Sequence, residues 1–392
     1  MPKKIFLIAC EASGDAHAAH LIREWKKIEP ETEFRGLGGP QMASAGFTLL
    51  QDMTKMSALG FGDVIRQYGT YRKYFYQALA DLLQWQPDAL VVVDSPAFNL
   101  RFAKKARQHR KDIPILYYIC PQIWAWGGRR IRTVRKTITK MFSILPFEVD
   151  FYRKAGMECE YVGHPLLERA RWDLMPAEAR RQLGMPADIR TVGLLPGSRK
   201  SEVERILPIM AAAAIELQKE LPDLVFYLAE SSNVDRSVYD QVLSRFPIQV
   251  ERFSDKLDEH LRAFDFALVA SGTATLQTAL ANTPYFLLYK ASWSTYFLGR
   301  QLIRVPYLGL VNLLAGKSVV PEFIQWAAHP GVIAREARIL LSNRYRYDTM
   351  KRELFDACSK LGKEGASRKA AKLMTSFLAR RQNTAMEIPA AQ

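Results

Sequence analysis

Between Leu194 and Glu202 the chain reads Leu-Leu-Pro-Gly-Ser-Arg-Lys-Ser-Glu, an apolar strand that runs into a glycine turn and then opens a helix. Gly197 lets the backbone approach an anion, the first free amides of the following helix point at it, and Arg199 offers a two-pronged charged donor. The turn fits a phosphate; it also fits an ordinary strand-to-helix loop with an exposed arginine. A second such turn, Ala270-Ser271-Gly272-Thr273-Ala274-Thr275, follows the apolar run 266–269. The two lie roughly 75 residues apart, within the span of one nucleotide-binding unit. Gly197, Ser198, Arg199, Ser271, Gly272 and Thr273 are therefore candidates for holding a diphosphate between two loops.

The first half of the chain carries a different chemistry. Asp94-Ser95-Pro96 follows Leu90-Val91-Val92-Val93, which places a carboxylate at the end of a buried strand with a proline turning the chain away. An aspartate has an ordinary pKa of about 3.9, and burial raises it toward the basicity that activating a hydroxyl needs. A helix cap or a buried acceptor is the competing reading. Glu11-Ala12-Ser13-Gly14-Asp15 follows the first apolar run in the same way. Ser13 and Asp15 fit either a cap of the next helix or a ligand contact, and Glu11 is less easily explained as a cap; Glu11, Ser13 and Gly14 stand as substrate-binding candidates. Trp124 and Trp126 sit just past another strand end, beside Arg129 and Arg130. Core packing is the common fate of Trp, yet such rings next to arginines also suit a lipid headgroup boundary. Met56, Leu59 and Phe61 lie in an apolar, glycine-flanked stretch that reads either as a hydrophobic flap or as a buried loop. His164, in Val-Gly-His-Pro, fits a packed hinge better than a ligand contact. No two aspartates lie two positions apart, so an Asp-x-Asp metal clamp is missing, and a departing diphosphate would be neutralised by Arg199, backbone amides and helix dipoles. The expectation is no metal and no cofactor.

These residues need a scaffold that delivers strand ends to a ligand. Short apolar runs at 5–10, 34–38, 89–94, 115–120, 142–146 and 161–163 alternate with longer amphipathic ones. After a polar, helix-prone connection at 169–187 the pattern restarts at 192–195, 225–229, 248–251, 266–269 and 285–289. Alternation of this kind marks βαβ units and parallel sheets covered on both faces. Two doubly wound α/β domains follow, 1–168 and 188–345, with ligands outside the carboxyl ends of the strands, in a cleft between two facing sets of loops. Residues 346–381 read as helices crossing back to the first domain, and 382–392 as a disordered tail.

Composition bounds the class. Hydrophobic residues are 48% and charged residues 24% of 392 positions, a globular balance with core enough for two or more domains. The cysteines at 10, 120, 159 and 358 form no CxxC or His-linked pair, which argues against structural zinc or a disulfide framework and for a reducing cytosol. No apolar run approaches the roughly 20 residues of a transmembrane helix, so a cytoplasmic protein with at most peripheral membrane contact is expected. Net charge is +15, and between Arg101 and Lys140 twelve Lys or Arg face one acid, Asp112. Such a field attracts polyanions, here a phosphorylated substrate or an anionic membrane surface. Nucleic acid is disfavoured, because no zinc-finger spacing or RNA-binding aromatic signature accompanies the charge.

Several further motifs, taken in order, carry a family resemblance. Glu11-Ala-Ser-Gly-Asp15, Gly38-Gly39-Pro-Gln-Met42, Pro121-Gln-Ile-Trp-Ala-Trp126, Leu145-Pro-Phe-Glu148, Val162-Gly-His-Pro165, Leu195-Pro-Gly-Ser-Arg199, Ser271-Gly-Thr-Ala274, Asn312-Leu-Leu-Ala-Gly316 and Pro321-Glu-Phe-Ile-Gln325 make the chain resemble, nearly end to end, the lipid A disaccharide synthases. The resemblance implies the GT-B fold, two Rossmann-like domains facing across a cleft. It implies an inverting glycosyl transfer from UDP-2,3-diacylglucosamine to 2,3-diacylglucosamine 1-phosphate, giving a β(1→6) disaccharide 1-phosphate and UDP. It assigns Asp94 as base, Arg199 to the diphosphate and Asn312 to the catalytic set, and it adds Gln277 and Gln325 to the substrate-binding residues. Gln277 stands where the family commonly has a ribose-binding glutamate, and Ala97 where it has a second acid after Asp94; glutamine still hydrogen-bonds but lacks the charge. A diacyl substrate stays in the bilayer, since each buried methylene contributes about 0.8 kcal/mol, so the enzyme must come to it. Met56, Leu59, Phe61, Trp124, Trp126, Arg129 and Arg130 are the expected membrane and acyl contacts, each basic residue near an anionic inner-membrane surface adding about 1 kcal/mol. The family includes dimers with exchanged C-terminal segments, which makes a homodimer a further expected partner. Competing readings are another UDP-sugar enzyme of the fold, such as a peptidoglycan-type transferase or a UDP-N-acetylglucosamine 2-epimerase, and a non-catalytic lipid-binding homologue.

Overall fold

A computed structural model describes residues 2–57, 68–126, 130–168, 174–293, 296 and 305–387. The chain divides into two compact units, Met1–Glu168 with Lys363–Gln392, and Arg169–Gly362.

The first unit is built on a seven-stranded parallel sheet in the order β3-β2-β1-β4-β5-β6-β7. Its strands are β1 (Lys4–Ala9), β2 (Glu33–Gly38), β3 (Thr48–Asp52), β4 (Ala89–Val93), β5 (Ile115–Tyr118), β6 (Lys140–Ser143) and β7 (Cys159–Tyr161). The central strands read as continuous apolar runs because both faces are covered. Phe6, Ile8, Leu90, Val92 and Tyr117 pack into one core, while Ile5, Leu7, Val91 and Leu116 pack into the other with Ala18 and Ile22. That second core also takes Ala370, Ala371 and Met374 from the last helix, Ala366–Glu387. Ser367 ties this helix down, its amide and hydroxyl donating to the two carboxylate oxygens of Glu168 at 2.9 and 2.8 Å.

The second unit holds a six-stranded parallel sheet in the order β10-β9-β8-β11-β12-β13. These are β8 (Arg190–Leu195), β9 (Leu224–Ala229), β10 (Glu251–Phe253), β11 (Phe266–Ala270), β12 (Tyr285–Tyr289) and β13 (Glu322–Ile324). Arg180, in the helix Pro176–Leu183, fastens the amino ends of β8 and β11: its guanidinium reaches the Asp265 carboxylate at 2.6 Å, the Thr191 hydroxyl at 3.2 Å and the Ala263 carbonyl at 2.9 Å.

Three sequence expectations need correction. β3 and β13 are additional strands; both lie at sheet edges, where half-exposed side chains mix apolar with polar residues and weaken the apolar-run signal. The expected crossing of 346–381 back to the first unit holds only for its last part. The helix Arg344–Ser359 stays in the second unit, where the Tyr347 hydroxyl donates to the Asp265 carbonyl at 2.9 Å, and the chain changes unit at Lys363. The helix that follows continues to Glu387, beyond the residue 382 at which a disordered tail was expected to begin.

Candidate active site

In the first unit Ala9 of β1 pairs with Val93 of β4, and Val93 with Tyr118 of β5, so the segments carrying Glu11 and Asp94 leave one edge of the sheet together. Asp94 and Ser95 both take the left-handed conformation, with φ of 48° and 42°. For a residue with a Cβ that costs on the order of 1–3 kcal/mol and persists only when the surroundings impose it. Here they do. The Asp94 carbonyl accepts from Asn99 Nδ2 at 2.7 Å and from the Tyr117 hydroxyl at 2.6 Å, and Asn99 also donates to the Val93 carbonyl at 2.9 Å. Pro96 then begins the helix Pro96–His109 with its φ already suited to a first helical position. Asn99 and Tyr117 escape motif reading; the one signal is an asparagine in a helix's first turn, where its side chain competes for backbone groups.

This geometry sets the electrostatics. Burial, and after it the negative charge of Glu11, pushes the Asp94 carboxyl up to about 6, against an opposing hydrogen bond from the Ser95 amide. Glu11 Oε1 accepts from the Ser95 hydroxyl at 3.3 Å. A third carboxyl, Glu148, is fully buried and lifted to about 7, chiefly by burial, with Asp94 adding to the shift and Ser143 and Trp124 opposing it. Its two oxygens accept from Trp124 Nε1 at 2.9 Å and from the Ser143 hydroxyl at 2.5 Å. Trp124 is thus a half-buried residue locked to a carboxylate and packed edge-on against Phe147 at 4.9 Å between ring centres. Its polar handle, which in a headgroup contact would face the membrane surface, is satisfied inside the protein.

A cavity of about 810 Å³ opens beside these groups, within the range of ligand pockets. Cys10, Glu11 and Ser95 line one part of it, Tyr71, Phe75, Tyr76 and Phe98 supply aromatic walls, and Arg72, Arg101, Lys104, Lys105 and Arg130 add positive charge. Edge-on ring contacts of Phe75 with Phe98 and Phe102, at 5.4 and 5.3 Å, brace the aromatic side.

The basic run is less uniform than its composition suggests. Arg107 spends its guanidinium on the carbonyls of Lys111, Ile113 and Thr137, at 2.5, 2.7 and 3.1 Å. Lys140 is buried, with Glu158 and Glu160 each at 3.4 Å. Both hold the fold. Arg130 is exposed on the cavity. Leu59, Phe61 and Arg129, and the side chains of Met56 and Trp126, lie outside the described residues.

Around the first strand end, Ser13 is exposed in the first turn of the helix Ala12–Ile28 and Gly14 is buried beneath it. Asp15, in the first turn of that helix, caps a different one. Its carboxylate accepts from the amides of Gly39, Gln41 and Met42 at 2.9, 3.0 and 3.0 Å, at the start of the helix Pro40–Ser44. His164 is buried and its Nδ1 accepts from the Leu166 amide at 3.2 Å. Burial, aided by the neighbouring His17, pushes its pKa down to about 3. It is neutral at physiological pH and structural.

In the second unit Leu195 of β8 pairs with Val269 of β11, so the loops at 196–199 and 271–272 leave adjacent strands at the same edge. Gly197 has φ +110°, and a Cβ there would stand 2.4 Å from Glu202 Oε2; glycine is required for both reasons. Glu202 fills the loop. Its Oε2 accepts from the amides of Ser198 at 3.0 Å and Arg199 at 3.3 Å, and its Oε1 from Arg199 Nη1 at 2.9 Å. A carboxylate therefore occupies the donors that the sequence reading assigned to a phosphate, at the head of the helix Lys200–Glu220. In the second loop Thr273 opens the helix Thr273–Leu280, and Thr275 Oγ1 donates to the Gly272 carbonyl at 2.7 Å. One turn on, Gln277 Nε2 donates to Asp258 Oδ1 at 2.8 Å. The negative charge that Gln277 lacks stands one hydrogen bond away.

Two residues brought in by resemblance hold backbone instead of facing a ligand. Asn312 is fully buried. Its Nδ2 donates to the Val320 carbonyl and to Glu322 Oε1, both at 2.8 Å, and its Oδ1 accepts from the amides of Val319 and Val320 at 2.8 and 2.9 Å. With its donors and acceptor lone pairs all used, Asn312 positions the 319–322 segment. Gln325 has φ 53° and is buried, and its amide exchanges two bonds with the backbone of Ala291, at 3.1 and 3.0 Å. It too positions a loop.

Among the described residues no group of three or more His, Cys, Asp or Glu is placed to hold one metal ion, and no helix is long and apolar enough to cross a membrane.

Comparison with known proteins places the architecture. The chain is similar to a putative UDP-N-acetylglucosamine 2-epimerase from Listeria monocytogenes, with a TM-score of 0.67 and 12% identity over 96% of this chain and 97% of that one. It is also similar to MurG from Acinetobacter baumannii, with a TM-score of 0.57 and 13% identity over 96% and 100%. At such identities the likeness shows the fold alone, the two Rossmann-like units of the GT-B class. Sequence similarity is more specific. The lipid-A-disaccharide synthase of Syntrophus aciditrophicus (strain SB) is 39% identical over 94% of this chain and 96% of its own length. The model of the family described as lipid-A-disaccharide synthetase matches residues 5–377. With a match of that extent and the strand-end carboxylates and glycine loops in place, the chain belongs to the lipid-A-disaccharide synthetase family.

Proposed function

We propose that the first unit binds the sugar acceptor and the second the nucleotide-sugar donor in an inverting glycosyl transfer. The donor is UDP-2,3-diacylglucosamine and the acceptor 2,3-diacylglucosamine 1-phosphate. The acceptor's 6-hydroxyl gives its proton to Asp94 while its oxygen attacks the donor's anomeric carbon. The bond from that carbon to the diphosphate breaks, and UDP leaves with the electron pair, giving the β(1→6) disaccharide 1-phosphate. One observation carries this reading: a carboxyl raised to about 6, held in a left-handed turn at the end of a buried strand, beside a large aromatic-walled cavity. A base with a pKa near the working pH suits proton removal from a hydroxyl.

The charge leaving with UDP falls to Arg199 and to the amides of Ser198 and Arg199, which the diphosphate takes over from Glu202. Preorganised donors of this kind act where charge develops. The proposal includes no metal. It places the enzyme on an anionic membrane surface, because the acyl chains keep both substrates in the bilayer.

The test is to follow labelled UDP-diacylglucosamine with and without the acceptor. UDP and disaccharide 1-phosphate should appear in equal amounts, only with acceptor, and EDTA should leave the rate unchanged. Release of UDP without acceptor, or epimerisation of UDP-N-acetylglucosamine, would overturn the reading.

A further inference from the structure

The helix Pro96–His109 starts at the Asp94 turn and forms a wall of the cavity. Arg101, Lys104 and Lys105 follow one another on it at i, i+3 and i+4, a spacing that puts them on one face. All three are exposed and all three line the cavity. None makes a hydrogen bond or ion pair with another described residue. The same cavity is lined by Tyr71 and Phe75, from the helix Tyr68–Trp85, and by Phe98, one turn before Arg101 on its own helix. The cavity thus joins cations that have no ion-pair partner among the described residues to aromatic surface, the complement of an amphiphile with one anionic group. With a rise of about 1.5 Å per residue, Arg101 lies about 7.5 Å along the axis from Pro96 and Lys105 about 13.5 Å. The positive charge therefore begins roughly one sugar ring beyond the Asp94 turn and continues along the wall.

We propose that Arg101, Lys104 and Lys105 form an anion reader that binds the 1-phosphate of the acceptor while its 6-hydroxyl lies at Asp94, so that they decide which acylated sugar is used. The inference rests on the glycosyl-transfer reading above. It gives these three residues a role in acceptor choice and takes them out of any general attraction to a charged surface. Arginine contributes the bidentate fork and the lysines point charges, with no acidic partner among the described residues to displace first.

The test compares two acceptors in neutral detergent micelles: the diacylglucosamine 1-phosphate, and the same sugar carrying a methyl group in place of the phosphate. In the wild type kcat/KM should favour the phosphorylated acceptor. In Arg101→Gln/Lys104→Gln the ratio between the two acceptors should fall by about 10- to 10²-fold, the scale of lost charge-assisted hydrogen bonds. The charge-preserving Arg101→Lys/Lys104→Arg should restore most of it. Equilibrium binding of both acceptors without UDP-sugar reads the same discrimination independently of turnover. If phosphate improves binding, the double Gln variant abolishes the improvement and no disaccharide forms, the transfer reading fails and the anion reader stands. If the variant lowers both acceptors equally, or leaves their ratio unchanged, the anion reader is wrong. Loss of binding to anionic phospholipid vesicles with an unchanged ratio in micelles would assign the three residues to the bilayer instead, and would likewise overturn the proposal.

Discussion

The two units repeat one architecture and reach opposite electrostatic outcomes at the same place in it. At the strand ends of the first unit three carboxyls gather, two of them lifted to about 6 and 7. At the strand ends of the second, a glycine loop presents amides and an arginine whose side chain is 72% exposed, with Glu202 bonded among them. A parallel sheet delivers loops to one edge whatever their chemistry. Crowding and burial then make the acidic edge reluctant to ionise, while the open, donor-rich edge accepts an anion readily. A proton-accepting site and an anion-accepting site need those two environments, and the duplicated fold supplies each separately.

The sharpest way to break this contrast is to remove the base. Asp94→Asn should lower turnover by about 10² to 10⁴-fold, the usual range for general-base help, with UDP affinity unchanged. In the wild type only the ionised form accepts the proton, so the rate should rise with pH through about 6 and level off above it. Because Asp94 also acts on Glu148, the midpoint belongs to that pair. A variant that keeps a third of wild-type turnover would make Asp94 structural.

On the other edge, Arg199→Ala should weaken donor use by about 10² to 10³-fold, and lysine should rescue it only in part, since a point charge does not reproduce the fork. Full rescue by lysine would show that charge alone suffices.

Glu148 gives a smaller, signed effect. Its pKa is about 7 in the fold against an ordinary 4.5, so between those values the folded protein holds more protons than the unfolded chain. Stability from this group is then lost as pH rises through that window, and the cost is complete above 7. Glu148→Gln removes the titration, so its melting temperature relative to wild type should climb between pH 5 and pH 8. A flat difference would mean that Glu148 does not ionise in this range.

The smallest effect tests a departure read from sequence. Gln277 already donates to Asp258 at 2.8 Å, so Gln277→Glu would set two carboxylates against each other. UDP binding measured by calorimetry should weaken a few-fold, the scale of one like-charge contact at a partly exposed site. Tighter binding in this variant would show that the missing charge at 277 is the limiting feature.

Position along a strand is what made much of this site readable. The apolar run before Asp94, and the runs before Gly197 and Ser271, end where the sheet ends, and a residue at that junction reaches the ligand edge of a parallel sheet. Residues whose role depends on distant partners are less legible in this way. Nothing near Trp124 in the sequence announces that its indole N–H is held by Glu148, 24 positions on. Asn312 came in by resemblance as a catalytic group, yet the 319–322 segment consumes its amide. Tyr117 had no readable signal and Asn99 only its place in a helix's first turn, because both pin a backbone carbonyl.

Local patterning by itself determined the two α/β halves, the strand that presents Asp94 and the glycine loop of Arg199, because apolar periodicity and turn chemistry act within a few residues. Only tertiary structure decided how far Asp94 and Glu148 shift, that Glu202 sits on the loop's donors, which basic residues face the cavity and which hold the fold, and that only the last helix of the 346–381 segment returns to the first unit. Those outcomes depend on burial and on partners between three and about two hundred positions apart, from Arg199 with Glu202 to Glu168 with Ser367. Desolvation and side-chain pairing are properties of the packed interior, not of the order of residues along the chain.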